Sequence, residues 1–217
     1  MFPLLDSYAS FKIKRLLNFR SRRISVQSLQ TQFPNFIGAE AEPPRVARYA
    51  VNEAMIRNWV EAHDDRNSIY VDAEAARSTG RRDVVCPPAM ISTWVMAGYR
   101  RYRQVQQLRA DGAAEEFAYS RLLGLLDEAG YTSVVATNVE QEYFAELSPG
   151  DHVTAYFTIE AISPFKQTAL GHGCFITLFK KYVDQDGKTL VEERFRLLRF
   201  KPDAQTDTKP EAQEVIA

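Results

Sequence analysis

The spacing of apolar positions changes along this chain: it is helical up to about Ala129 and becomes two from Tyr131 onward. Met55, Ile56, Trp59, Val60 and His63 recur at helical spacing behind Asn52, a good N-cap, and predict an amphipathic helix that stops at Asp64-Asp65-Arg66-Asn67. A short strand over residues 45–51 should precede it, following Pro43-Pro44. Asp72 is placed to cap a second short helix over residues 73–79, which Gly80 closes. After Pro87-Pro88, residues 89–97 are apolar on nearly every side, and a helix of that kind has to be surrounded by protein. A further helical pattern over residues 114–129 carries Leu122, Leu123, Leu125 and Leu126 and ends at Gly130.

Beyond it, Val153, Ala155, Phe157, Ile159 and Ala161 alternate with Thr154, Tyr156, Thr158 and Glu160, the pattern of a half-buried strand. Residues 133–145 are also β-rich, and residues 171–183 and 190–200 predict two more strands joined through Asp186-Gly187, a hairpin signal. One strand, several helices and an antiparallel meander make an α+β domain in which a sheet wraps a buried central helix.

The ends differ from this middle. Residues 1–35 hold Lys12, Lys14, Arg15, Arg20, Arg22 and Arg23 against the single acid Asp6, and read as a basic extension, with a surface helix over residues 8–17 or a loose likeness to an organelle transit peptide. Residues 201–217 are polar and read as a mobile tail. The folded domain is therefore expected over residues 36–200. Across all 217 residues the formal net charge is −1, which offers no electrostatic footprint for nucleic acid, and no apolar run approaches the ~20 residues of a membrane span. Cys86 and Cys174 lack CxxC spacing, so free thiols in a reducing cytoplasm are expected rather than a structural disulfide. Neither cysteine has metal-ligand spacing with His63, His152 or His172, and no metal is expected.

The run from Ala62 to Tyr70 carries the chemistry. It resembles the signature of the MaoC-type (R)-specific enoyl-CoA hydratases, Gly-Asp-x-Asn-Pro-[Ile/Leu/Val]-His. Asp65 and Asn67 fall on its aspartate and asparagine; Asp64, Ser68 and Tyr70 stand where it has glycine, proline and histidine. Phe36-Ile37-Gly38, Pro43-Pro44-Arg45-Val46, Val85-Cys86-Pro87-Pro88-Ala89-Met90 and Leu125-Leu126-Asp127-Glu128-Ala129-Gly130 extend the resemblance to the FAS1-like dehydratase branch of that superfamily. In particular the chain is similar to the N-terminal domain of the larger subunit of steroid side-chain hydratases; the OB-like second domain of that group is not expected here.

The resemblance implies a hot-dog fold and a subunit of an enoyl-CoA hydratase, with a CoA thioester as substrate and no separate cofactor. In that family Asp and His hold one water, which adds to C3 of the 2-enoyl thioester while a proton reaches C2. Histidine exchanges protons near neutral pH with a pKa of about 6.5, whereas a tyrosine at roughly 10 can hold water but is a poor base. Tyr70 therefore implies a degenerate half, with Asp65 vestigial, shaping the acyl pocket for a sister hot-dog subunit that carries the complete pair. The acyl group implied is bulky, such as a steroid side-chain intermediate. A plainer alternative for Asp65 and Asn67 is loop capping.

Further candidates border the same chemistry. The helix start at Pro88 lies beside the thioester in these hydratases, although Pro87 and Pro88 remove two N–H donors from it. Met90 and Trp94 are candidate pocket residues. Lys166 and the arginines at 100–109 are candidates for CoA phosphates, and His172 between Gly171 and Gly173 is a candidate ligand contact. Two other readings stay open: a self-sufficient homodimeric hydratase using Asp65 and Tyr70, and a non-enzymatic acyl-CoA-binding scaffold. A thioesterase is a weaker third.

Overall fold

The alternating segments form a sheet, and in the computed structural model, which describes residues 25–111 and 117–202, the helices lie against its inner face. The strands are β1 (Glu40–Val46), β2 (Ser133–Tyr143), β3 (Thr154–Ile162), β4 (Lys166–Thr168), β5 (Gly171–Val183) and β6 (Thr189–Lys201). Their order is β1-β3-β5-β6-β2, with β4 paired to the start of β5, and every pairing is antiparallel. The predicted turn joins β5 to β6 with Gly187 at φ 79°, a conformation that favours glycine.

Register fixes which side chains face inward. Ala155, Phe157 and Ile159 of β3 stand beside Tyr182, Lys180 and Leu178 of β5, which stand beside Val191, Glu193 and Phe195 of β6. All but Lys180, Glu193 and the half-buried Phe195 are buried apolar or aromatic residues of the core. The core's other layer comes from α1 (Val26–Gln30), α2 (Glu53–Ala62), α4 (Ile91–Trp94) and α6 (Ala118–Glu128), through Leu29, Ile56, Val60, Ile91, Trp94, Leu122 and Leu126. Asn52 caps α2 as its sequence predicts, accepting from Met55 N at 3.1 Å, and Asp72 caps α3 (Ala73–Ser78).

Three expectations are corrected. The first strand lies earlier than residues 45–51 and runs through Pro43-Pro44; among the described residues β1 is an edge strand paired to β3 alone, so missing donors are tolerated there. The apolar run at 89–97 is not one buried helix. It is a 3-10 turn, Pro88–Met90, and the single-turn α4, after which Met96 is 69% exposed and Gly98, at φ 69°, starts α5 (Gly98–Ala110). The rest of the inner layer comes from α6, whose Leu122 and Leu126 form a buried i,i+4 stripe. The packed unit also starts before residue 36, because Leu29 is 0% and Phe33 3% exposed within the core. The helix expected over residues 8–17 and residues 203–217 of the tail lie outside the described residues. Among the described residues no helix is long and apolar enough to cross a membrane.

Candidate active site

The loop after α2 is built from short-range hydrogen bonds. Asp64, at the position of glycine in the resembled signature, adopts φ 47°, and its carboxylate pairs with Arg66 at 3.0 Å in solvent. Asp65 N donates to Val60 O, closing the helix, and Asp65 Oδ1 accepts from Asn67 N at 3.0 Å. Asn67 Oδ1 accepts from Ile69 N at 3.3 Å and caps the 3-10 turn Ser68–Tyr70. The last two are Asx-type bonds, the local chemistry that short polar side chains offer a tight turn.

This turn delivers Tyr70 to the wall of a cavity of about 330 Å³. Cys86, Pro87, Pro88 and Ile91 form the side next to α4, while Tyr143 and Val191 come from the sheet. Arg81 and Glu146 supply a charged part of the wall. Arg81 Nη2 reaches Glu146 Oε1 at 2.6 Å, its Nε reaches both carboxylate oxygens at 3.0 Å, and its Nη1 donates to Thr79 Oγ1 at 2.6 Å. That fork holds the carboxylate in one orientation.

Electrostatics keep the cavity's hydroxyl and thiol protonated. Burial raises the Tyr70 pKa above the ordinary tyrosine value, the charge of Asp65 raises it further, and a hydrogen bond with the Asn67 side chain offsets part of this. Tyr70 is therefore a neutral hydroxyl at physiological pH, able to donate or accept a hydrogen bond but not to act as an anionic base. Burial pushes the Cys86 thiol up to about 11, although Trp94 Nε1 donates to its sulfur at 3.2 Å. Cys86 and Cys174 are both buried and free. Among the described residues no three His, Cys, Asp or Glu side chains are gathered as a metal site would need.

Of the residues singled out from sequence, Tyr70 and Pro88 line this cavity. Asp65 does not; it borders a separate open depression with Arg57, Glu61 and Asp64, and Asn67 lines neither. Met90 and Trp94 are buried in the core. Lys166, Gly171, His172 and Gly173 sit at the far end of the β5–β6 hairpin, nine strand residues or roughly 30 Å from the Tyr182–Val191 pair beside the cavity. There His172 Nδ1 is 3.0 Å from Tyr131 OH and its ring stacks on Phe165, while Lys166 Nζ lies 4.7 Å over the Phe175 ring. A Cβ on Gly173 would stand 2.3 Å from Arg199 O, so close strand packing accounts for that glycine. Arg81, Tyr143 and Glu146 were not visible as site residues in the sequence: Arg81 follows Gly80 in a charged run, and its partner lies 65 positions away.

The sequence profile described as "FAS1-like, dehydratase domain region" matches residues 35–193. The chain is 44% identical over 191 residues to a protein of Thermomonospora curvata named probable enoyl-CoA hydratase alpha subunit, covering 87% of this chain and 58% of that protein. It is 38% identical over 188 residues to the 3-oxo-4,17-pregnadiene-20-carboxyl-CoA hydratase alpha subunit of Mycobacterium tuberculosis, covering 86% and 56%. The chain thus spans less than three fifths of the length of either relative. Among solved structures it superposes on a chain of the ChsH1-ChsH2 complex from Mycobacterium tuberculosis with TM-score 0.70 and 37% identity, over 87% of this chain and all of that one. A MaoC-like dehydratase at 19% identity and TM-score 0.52, covering 76% of this chain and 42% of that one, shares the fold. With its sheet wrapped over α4 and α6 and its profile match running through loop, cavity and strands alike, the chain is a hot-dog protein and belongs to the FAS1-like dehydratase domain family.

Proposed function

We propose that this chain is the catalytically degenerate, pocket-forming subunit of a hetero-oligomeric enoyl-CoA hydratase acting on a bulky 2-enoyl-CoA, such as a steroid side-chain intermediate. The observation that carries the proposal is the pairing of an acyl-sized cavity with an incomplete acid–base set. Tyr70 faces the cavity as a neutral hydroxyl, and the Asp65 carboxylate accepts from Asn67 N outside it. The partner is a second MaoC-like hot-dog subunit with the complete Asp/His pair. Its histidine and aspartate hold the water that adds to C3 of the enoyl group, and a proton is delivered to C2. The present chain contributes Tyr70, Pro88 and the sheet wall, and excludes water from the acyl group.

Two features support an assembly of this kind. The 11-residue strand β2 ends the strand order, so its outer edge is unpaired among the described residues, and it exposes Val134 and Val139, with Phe144 just beyond its end. A long edge of that character needs cover. The relatives reported above are named as alpha subunits, and the similar solved structure is of a complex. Two buried free thiols suit a reducing cytoplasm.

The test is hydration of trans-2-octenoyl-CoA by the chain alone and by the chain copurified with its hot-dog partner. The proposal expects turnover only in the second preparation. Robust turnover by the chain alone would replace it with the homodimer; binding of acyl-CoA without turnover in both would replace it with a scaffold.

A further inference from the structure

On the sheet, the cavity ends at one aromatic ring. Along β2 and β6 its lining stops at the cross-strand pair Tyr143–Val191; the next inward-facing pair, Gln141–Glu193, lies outside it, about 7 Å further along. Beyond that pair Val139 is 56% exposed beside the half-buried Phe195, so the inner face is open there. Tyr143 therefore stands between the cavity and the open part of the face. Its own exposure of 44% fits that place, since it borders the cavity and still meets solvent.

A chain of hydrogen bonds fixes the ring. Tyr143 OH donates to Gln141 Oε1 at 2.5 Å, two residues back on the same face, which lays the ring along the strand at the cavity's edge. Gln141 Nε2 donates to Glu193 Oε2 at 2.7 Å. Glu193 is 4% exposed, and Lys180 Nζ anchors its other oxygen at 2.5 Å. A buried ion pair is a poor source of stability compared with well-packed apolar side chains, so its place behind Gln141 asks for another reason. Burial raises the Tyr143 pKa and the charge of Glu193 raises it further, so the hydroxyl keeps the proton that holds it to Gln141.

We infer that Tyr143 limits the length of the acyl chain that the cavity accepts, and that Gln141 and Glu193 are positioning residues that hold its ring across the way to the open face. The cavity of about 330 Å³ has room for roughly ten groups of methylene size, taking about 30 Å³ for each as for a water molecule. A longer chain has to displace the ring or leave its end outside. The inference rests on reading the cavity as an acyl site, and its test reads binding, so that it stands or falls apart from turnover.

The probes are trans-2-decenoyl-CoA and trans-2-tetradecenoyl-CoA, titrated calorimetrically against the full chain, alone and with its copurified partner. Each methylene buried in an apolar site adds about fourfold to affinity, so four more kept outside should leave the longer probe within about threefold of the shorter. In Tyr143→Ala the longer probe should bind at least tenfold tighter than the shorter, while the shorter, having lost its contact with the ring, weakens about threefold. Tyr143→Phe and Gln141→Leu keep the ring and remove its anchor. Each should raise the ratio to about fivefold, and they serve if Tyr143→Ala does not melt cooperatively. A merely structural role would weaken both probes in proportion and leave the ratio where it was. Length discrimination without any hydration activity would retain the end wall and remove the hydratase reading. A preference of the unaltered chain for the longer probe above tenfold, a ratio unmoved in all three variants, or binding of neither probe in either preparation would overturn the length limit.

Discussion

Asp65 Oδ1 accepts a hydrogen bond from Asn67 N at 3.0 Å, so the carboxylate that a hydratase would point at water holds its own loop through one oxygen. The cost of losing it should resemble that of losing a helix cap, about 1 kcal/mol. Asp65→Ala is therefore expected to lower the urea unfolding free energy by that amount and to leave kcat/KM of the assembled complex within about threefold. Loss of an acid–base group that worked on the reacting water would instead cost roughly a hundredfold or more, and such a loss would restore Asp65 to the chemistry.

Tyr70 follows that carboxylate by five residues and feels its charge, but Tyr70 lines the cavity and Asp65 lines the separate depression. Tyr70→His places a group with a pKa of about 6.5 in the cavity but leaves Asp65 outside the cavity lining and Glu146 paired with Arg81. Asp64 and Ser68, at the positions of glycine and proline in the family signature, keep the loop in its present shape. Hydration of trans-2-octenoyl-CoA by the isolated variant should stay within threefold of background. A hundredfold gain would mean that the single histidine completes a site already in place.

Local signals in the chain translated well into elements, and contacts between distant segments did not. Asn52, Asp72 and Asp186-Gly187 act within a few residues, and each caps or turns the chain where its type predicts. The period-two run at 171–183 coincides with β5 because side-chain alternation is intrinsic to a strand. The apolar run at 89–97 was harder: being apolar all round says that it is buried, not how long it stays helical, and α4 lasts one turn. Tyr70 was readable as a departure from a motif. Gln141 with Glu193 is brought together by strand pairing across 52 residues, and Arg81 with Glu146 by the packing of two loops across 65, which periodicity cannot show.

The buried thiols give the stability a defined alkaline limb. Burial raises Cys86 to about 11 and Cys174 to about 12 from an ordinary value of 9.0. Below pH 9 both the folded and the unfolded chain keep these protons, and the contribution is fully present. As pH rises past 9 the unfolded chain releases them first, so stability falls toward pH 11 and 12. Urea midpoints should be level from pH 7 to 8.5 and decline from pH 9 to 10.5, with a shallower decline in Cys86→Ala. At pH 8 native Cys86 should also react with iodoacetamide roughly a hundredfold more slowly than in urea, since the thiolate is the nucleophile. Equal rates in the two states would show that the thiol is open to solvent.

Gly173 separates a packing role from a ligand role at the far end of β5. It pairs with Phe200 across the β5–β6 ladder, and a Cβ built on it would stand 2.3 Å from Arg199 O and 2.8 Å from Phe200 Cβ. Backbone cannot yield there as a flexible side chain would, so Gly173→Ala has to push the strands apart or twist β6. Overpacking of this kind costs about 1–3 kcal/mol. The displaced strand also carries Arg199, which donates to Tyr131 O and pairs with Asp127 at the end of α6. The variant should therefore lose stability by urea titration and show faster amide exchange in the 197–201 segment, while acyl-CoA affinity of the protein that remains folded stays within twofold. A stable Gly173→Ala chain with weakened acyl-CoA binding would place the ligand at this end of the sheet and move the site away from Tyr70.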